Sequence, residues 1–234
     1  MENGSSHQER AGALELERAG ARLYTVTQGR GAPVVYLHGG FADHRASLVH
    51  VGALARTRWL ITPDVRAAGR SHYAGALSWE LLADDVAALL DHLGLERAVV
   101  GGMSAGSAIA LRFALRHPDR AGGLVLAAPV YAGADRGLTP AQRAAFAAMD
   151  AAGREAQRVG VSALRPLFEA LPEAIRARAL EMVASFDPAS VAATARFLAS
   201  GVQPIAALDV LATIATPTLV IPGADAEHPA ELAT

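Results

Sequence analysis

Ser104 stands at the centre of Gly102-Met103-Ser104-Ala105-Gly106, a hydroxyl flanked two residues away on each side by glycine. The apolar stretch Ala98-Val99-Val100-Gly101 precedes it, and Ser107 to Leu115 follows with a helical pattern. A strand, a tight turn and a helix in that order lift a hydroxyl clear of its own backbone. They also set it at a helix N-terminus, where free N–H groups and the helix dipole favour developing negative charge. Glycine suits the flanking positions because the backbone segments must approach closely. The chemistry this predicts is nucleophilic attack by the Ser104 hydroxyl on a carbonyl. The alternative is a serine that merely shapes a turn, and the strand–turn–helix context favours the nucleophile.

A second pattern supports it. Pro33-Val34-Val35-Tyr36-Leu37 reads as a buried strand that ends in His38-Gly39-Gly40-Phe41. A glycine turn there can aim a backbone N–H into a cleft with no side chain in the way. The N–H groups of Gly40 and Ala105 together form a candidate oxyanion hole. Read alone, these glycines would do no more than end a strand.

With these residues the chain resembles the α/β-hydrolase family over nearly its whole length, from about Leu14 onward. His38-Gly39-Gly40 is similar to the family's oxyanion turn. Pro63-Asp64-Val65-Arg66-Ala67-Ala68-Gly69-Arg70-Ser71 is similar to its P-D-x-R-G-x-G-x-S loop, with Ala67 where glycine is usual, which predicts a slightly different loop path. Pro217 to Asp225 resembles the strand and turn that carry the family's acid, which implies Asp225 for that role. The resemblance implies an α/β fold: a mostly parallel, doubly wound sheet flanked by helices, with an inserted helical lid. It also implies the triad order serine, acid, histidine.

The histidine is the gap in this reading. The chain runs only nine residues past Asp225, and the family pattern would add roughly 40 more at typical element lengths. A C-terminally shortened hydrolase without its base is therefore expected. His228 is the competing candidate. Three residues from Asp225, at what reads as a helix start, it is expected to touch the acid but to face away from Ser104. His38 is expected to bond local backbone, and Asp135, just past the strand at Leu124 to Ala128, is the fallback acid.

These side chains need elements to position them. Ala13–Glu17 and Ala21–Thr27 read as paired strands around Ala19-Gly20. Strands at 34–37, 59–62, 98–101 and 122–128 alternate with helices at 44–55, 79–93 and after Ser104, the rhythm of a parallel sheet. Strand ends in such sheets gather ligands. From about Gly137 to Asp209 the strand signal stops, and Thr139-Pro140-Ala141-Gln142 is a helix start with Thr as cap, Pro first and Gln third. The expected division is a core of 1–137 and 208–234 and a helical lid of 138–207. Phe41, Phe146, Met149 and Phe168 are the candidate pocket residues. Most lid aromatics should pack the lid itself, but a lid over a nucleophile also walls the pocket. Phe and Met there would favour an apolar group.

Composition narrows the function. Basic and acidic residues nearly balance, 21 against 23, which gives no electrostatic reason to expect nucleic acid or an anionic membrane surface. There is no cysteine, so thiol catalysis and disulfides are excluded. No pair of histidines has metal-motif spacing, and neither metal nor cofactor is expected. No apolar run reaches the roughly 18 residues of a membrane span. The N-terminal Met1 to Arg10 is polar and reads as a disordered leader without a signal-peptide core. A cytoplasmic, bacterial-type protein is expected, with a homo-oligomer left open. The reading is a serine hydrolase acting on an ester or related acyl bond of a small, largely apolar substrate. Its rivals are a non-catalytic ligand-binding protein on the same fold, or an acyltransferase, perhydrolase or carbon–carbon hydrolase using the same site.

Overall fold

Short apolar runs rich in Val, Ile and Leu form the strands of one seven-stranded sheet, ordered β1-β2-β4-β3-β5-β6-β7. The computed structural model describes residues 11–169 and 171–233, so the Met1–Arg10 leader lies outside the described residues. β1 (Gly12–Arg18) and β2 (Ala21–Gly29) pair antiparallel around Ala19 and Gly20, both at positive φ. That backbone twist matches the twist of the strands it joins. β2 also runs antiparallel to β4 (Trp59–Pro63). β3 (Pro33–Leu37), β4, β5 (Ala98–Met103), β6 (Ala121–Ala127) and β7 (Thr218–Ile221) are parallel.

Both faces of the sheet are covered. Alternate residues of β3 point to opposite sides, as the strand period demands. Val35 and Leu37 join the main core with α2 (Trp79–His92) and α3 (Ala105–Arg116). Val34 and Tyr36 pack with Leu48 and Val51 of α1 (His44–Val51). Leu82, Val86, Leu89 and Leu90 of α2 are buried as their spacing predicts.

The sheet's register positions the site. Leu37, Gly102, Leu126 and Val220 form one row across the four strands β3, β5, β6 and β7. His38, Ser104 and Pro222 all follow within two residues of that row, so the Gly39-Gly40 turn, the serine and the segment that carries Asp225 leave the sheet at one edge.

Between β6 and β7 the described residues form helices and loops, with no strand. α4 (Pro140–Val159) starts in a capping box formed by Thr139 and Gln142. α5 (Arg165–Glu169), α6 (Glu173–Ala184) and α7 (Pro188–Ala199) follow. Gly153 of α4 faces Ala195 of α7, and a Cβ there would clash with the Ala195 methyl, so its absence lets the helices meet closely. A second core of Phe41, Leu164, Met182, Val183, Phe186 and Val191 joins this helical layer to the turn after β3.

Ala67 adopts φ +65, the left-handed region that glycine enters freely. The loop thus keeps a glycine-type path at an alanine, at a cost of about 1–2 kcal/mol. Its N–H and carbonyl are held by Ser71 and Thr194.

Candidate active site

Ser104 sits between β5 and α3 at φ +54 and ψ −120. A non-glycine residue there stores on the order of 1–3 kcal/mol of backbone strain, and only a surrounding that fixes the turn retains it. The Ser104 N–H donates to the Ala127 carbonyl, and its own carbonyl accepts from the Ser107 and Ala108 N–H groups and the Ser107 hydroxyl. A Cβ on Gly102 would run into the backbone of Gly106, and one on Gly106 into the carbonyls of Leu37 and His38. The two flanking glycines are therefore steric requirements of the turn.

The Gly39-Gly40 turn passes directly over the serine: a Cβ on Gly39 would lie 3.3 Å from Ser104 Cβ. His38 fixes that turn. Its Nε2 accepts from the Val65 N–H at 2.9 Å and its Nδ1 donates to the Gly39 carbonyl at 2.8 Å. Burial pushes its pKa below the usual value, which keeps the ring in the neutral form this pattern needs. His38 bonds local backbone, as expected, and both ring nitrogens are committed there. Gly40 and Ala105, the expected oxyanion donors, line a common cleft.

The acid segment departs from expectation. His228 does not face away from Ser104. Its Nε2 lies 3.0 Å from Ser104 Oγ and its Nδ1 lies 2.8 Å from Asp225 Oδ1. Asp225 Oδ1 also accepts from the N–H groups of Glu227 at 2.9 Å and His228 at 2.8 Å. A carboxylate accepts only, so Nδ1 carries the proton and Nε2 presents its lone pair to the serine hydroxyl. Burial works against the Asp225 anion. The His228 ring and N–H and the Glu227 N–H outweigh it, and the carboxyl sits below its usual range.

The sequence reading missed this because it took His228 as a helix start facing away from Ser104. The chain instead makes a side-chain-capped turn from 225 to 228, and helical backbone of the 3₁₀ type resumes only at Ala230. The available signal was Gly223. A Cβ there would overlap the main chain and Cβ of His228, so glycine is what lets the turn fold back toward Ser104. Asp135 is exposed, with its N–H bonded to the Ala206 carbonyl, and does not join the cluster.

A cleft beside the Gly39-Gly40 turn is walled by Phe41, Leu77, Trp79, Ile109, Phe197 and Leu198. Of the predicted pocket residues, Phe41 lines it. Met149 and Leu198 reach over Gly40, where a Cβ would stand 3.2 and 2.9 Å from them. Phe146 is instead buried in the main core, its ring 6.2 Å from that of Tyr131. Phe168 packs on the second core. Helical periodicity did not reveal that Trp79 and Phe197, 4.8 Å apart edge to face, would take their place.

Asp43, His44 and Asp64 bring three ligand-type atoms within 4.8 Å of one another. All are engaged as a structural knot: Asp64 accepts from the His44 N–H and ring and the Arg70 N–H, and Asp43 from Arg45.

Residues 32–220 match the alpha/beta hydrolase fold family. The chain belongs to that family. It is 38% identical over 108 residues to a proline iminopeptidase of Neisseria gonorrhoeae, covering 41% of this chain and 32% of that protein. It is 32% identical over 116 residues to a 2-hydroxymuconate semialdehyde hydrolase of Pseudomonas putida, covering 48% and 41%. The matches thus span about a third to two fifths of these relatives' length. Among solved structures, a thermophilic esterase from Thermogutta terrifontis superposes with a TM-score of 0.76 at 27% identity, over 95% of this chain and 84% of that one.

Proposed function

We propose that the chain is a serine hydrolase in which Ser104 is the nucleophile, His228 the base and Asp225 the acid, acting on an ester or related acyl bond. The observation that carries this reading is the continuous hydrogen-bond chain from Asp225 through His228 to Ser104. His228 takes the Ser104 proton as Oγ attacks the carbonyl, and Asp225 holds the ring in the needed tautomer and stabilises the imidazolium. The N–H groups of Gly40 and Ala105 receive the oxyanion. His228 then protonates the leaving group, and water releases the acyl chain by the same steps in reverse.

The cleft supports an apolar acyl group. Its polar side chains are already committed: His38 to backbone, Arg66 to Asp85 and the Arg18 and Ala19 carbonyls, Trp79 to the Val202 carbonyl, and Thr194 to the Ala67 carbonyl. A charged or strongly hydrated acyl group entering there would lose its water without replacement partners. Helices α4 to α7 act as the lid, and the substrate is a small molecule that needs no cofactor. Among the described residues no helix is long and apolar enough to cross a membrane.

Hydrolysis of short-chain p-nitrophenyl esters by the 234-residue chain tests the reading. Ser104→Ala should abolish turnover without lowering the melting temperature, since alanine keeps the turn and removes only the hydroxyl. Ligand binding without any turnover would instead support the non-catalytic alternative.

A further inference from the structure

The turn that carries His228 is short and lies on the exposed side of the site. One side chain reaches it from the lid. Gln142, only 1% exposed, donates from Nε2 to the Glu227 carbonyl at 3.0 Å and to the Val130 carbonyl at 2.7 Å. Its Oε1 accepts from the Thr139 N–H at 2.9 Å, closing the capping box of α4. One buried amide therefore ties together the loop after β6, the start of the lid and the residue before His228. Both amide protons and the carbonyl are used, so the side chain has no rotational freedom to spare. The same helix, seven residues on, sets Met149 against Gly40. The base and the oxyanion turn thus share one support.

We propose that Gln142 is a positioning residue that fixes the His228 ring against Ser104 through the Glu227 carbonyl, making the lid's first turn part of the catalytic geometry. This rests on the triad reading above. A misplacement of about 1 Å at a reacting group is worth on the order of 10² in rate. The effect falls on the chemical step, because Gln142 does not line the cleft where substrate binds.

The test compares Gln142→Met with Thr139→Ala on a p-nitrophenyl ester, reading kcat, KM and melting temperature. Gln142→Met keeps the volume and removes all three bonds. Thr139→Ala weakens the same helix start but leaves the amide on Glu227. The expected result is a fall in kcat of about 10² in Gln142→Met, with KM within about twofold and a melting temperature close to that of Thr139→Ala, whose kcat stays near wild type. Gln142→Glu is the second variant should Gln142→Met not fold. Its carboxylate still accepts from the Thr139 N–H but has no proton for Glu227, and it should show the same loss of kcat. Equal kcat in the two single variants, or a loss confined to KM, would overturn the positioning role while leaving the triad intact. A wild-type chain without turnover would overturn the triad and the positioning role together.

Discussion

The two halves of the site are built in opposite ways. Ser104 sits in a turn where its own N–H and carbonyl are both held, and a Cβ on either flanking glycine would meet the Leu37 carbonyl of β3. Asp225 and His228 follow β7, a strand of four residues, all exposed, and the Asp225 side chain is 64% exposed against 18% for His228. Ser104 is fixed by the core of the protein. The proposed acid–base pair, Asp225 and His228, is fixed by its own turn, by Gly223 and by Gln142 of α4. Strain can be stored at Ser104 because the surroundings over-determine it, whereas the second half has little beneath it to store strain in. The two halves should therefore fail differently when perturbed.

The largest difference is expected at Asp225. Asp225→Asn removes the acceptor that selects the Nδ1–H tautomer, and kcat for ester hydrolysis should fall by about 10⁴. Because the residue is exposed, the denaturation midpoint should barely move. A mild effect on kcat would mean that the turn's backbone bonds orient His228 without the carboxylate.

Adding one methyl group to each half sharpens the contrast. Gly223→Ala pushes on His228 at the protein surface, and should lower kcat by about 10² with little change in melting temperature. Gly102→Ala drives the same methyl into the Gly106 backbone and should destabilise the whole fold by about 3 kcal/mol or more. Urea denaturation alongside ester kinetics distinguishes them. Equal stability losses in both variants would erase the proposed difference between the halves.

The smallest effect concerns the buried knot that supports the oxyanion side. Burial disfavours the Asp64 anion, but the His44 ring and N–H, the neighbouring His38 and the Arg70 N–H outweigh it and hold its pKa below the usual carboxylate range. A depressed folded pKa stabilises the fold fully above the unfolded value, near pH 4. That stability is lost as pH falls through the folded value. Asp64→Asn should cost about 2 kcal/mol at pH 7, and its stability should vary less than wild type between pH 5 and pH 3. Parallel pH curves for the two proteins would remove Asp64 from the acid response.

The Ser104 turn and Asp225 were legible in the sequence and the place of His228 was not, for one physical reason. Gly102, Ser104, Gly106 and His38-Gly39-Gly40 occupy regular strand ends, where apolar periodicity sets the register and the glycines mark close approaches. Fold class followed from that periodicity. The turn at 225–228 carries no periodicity. Its shape depends on which way the Asp225 side chain bonds and on whether Gly223 leaves room, and neither is a pattern along the chain. The cleft was partly legible: Phe41 lines it, and Met149 lies over Gly40. Phe146 turned into the core, because its place on α4 faces Tyr131, and Trp79 on α2 supplies the wall from an element that reads only as amphipathic.

The most direct measurement of the central claim is the rate at which a fluorophosphonate probe labels Ser104 in the wild-type 234-residue chain and in His228→Ala. A serine activated by His228 should label readily in the wild type. The rate should fall by about 10⁴ or more in the variant, with the circular dichroism spectrum unchanged. Equal labelling in the two proteins would show that His228 is not the base and that the bond to Ser104 has no part in its reactivity.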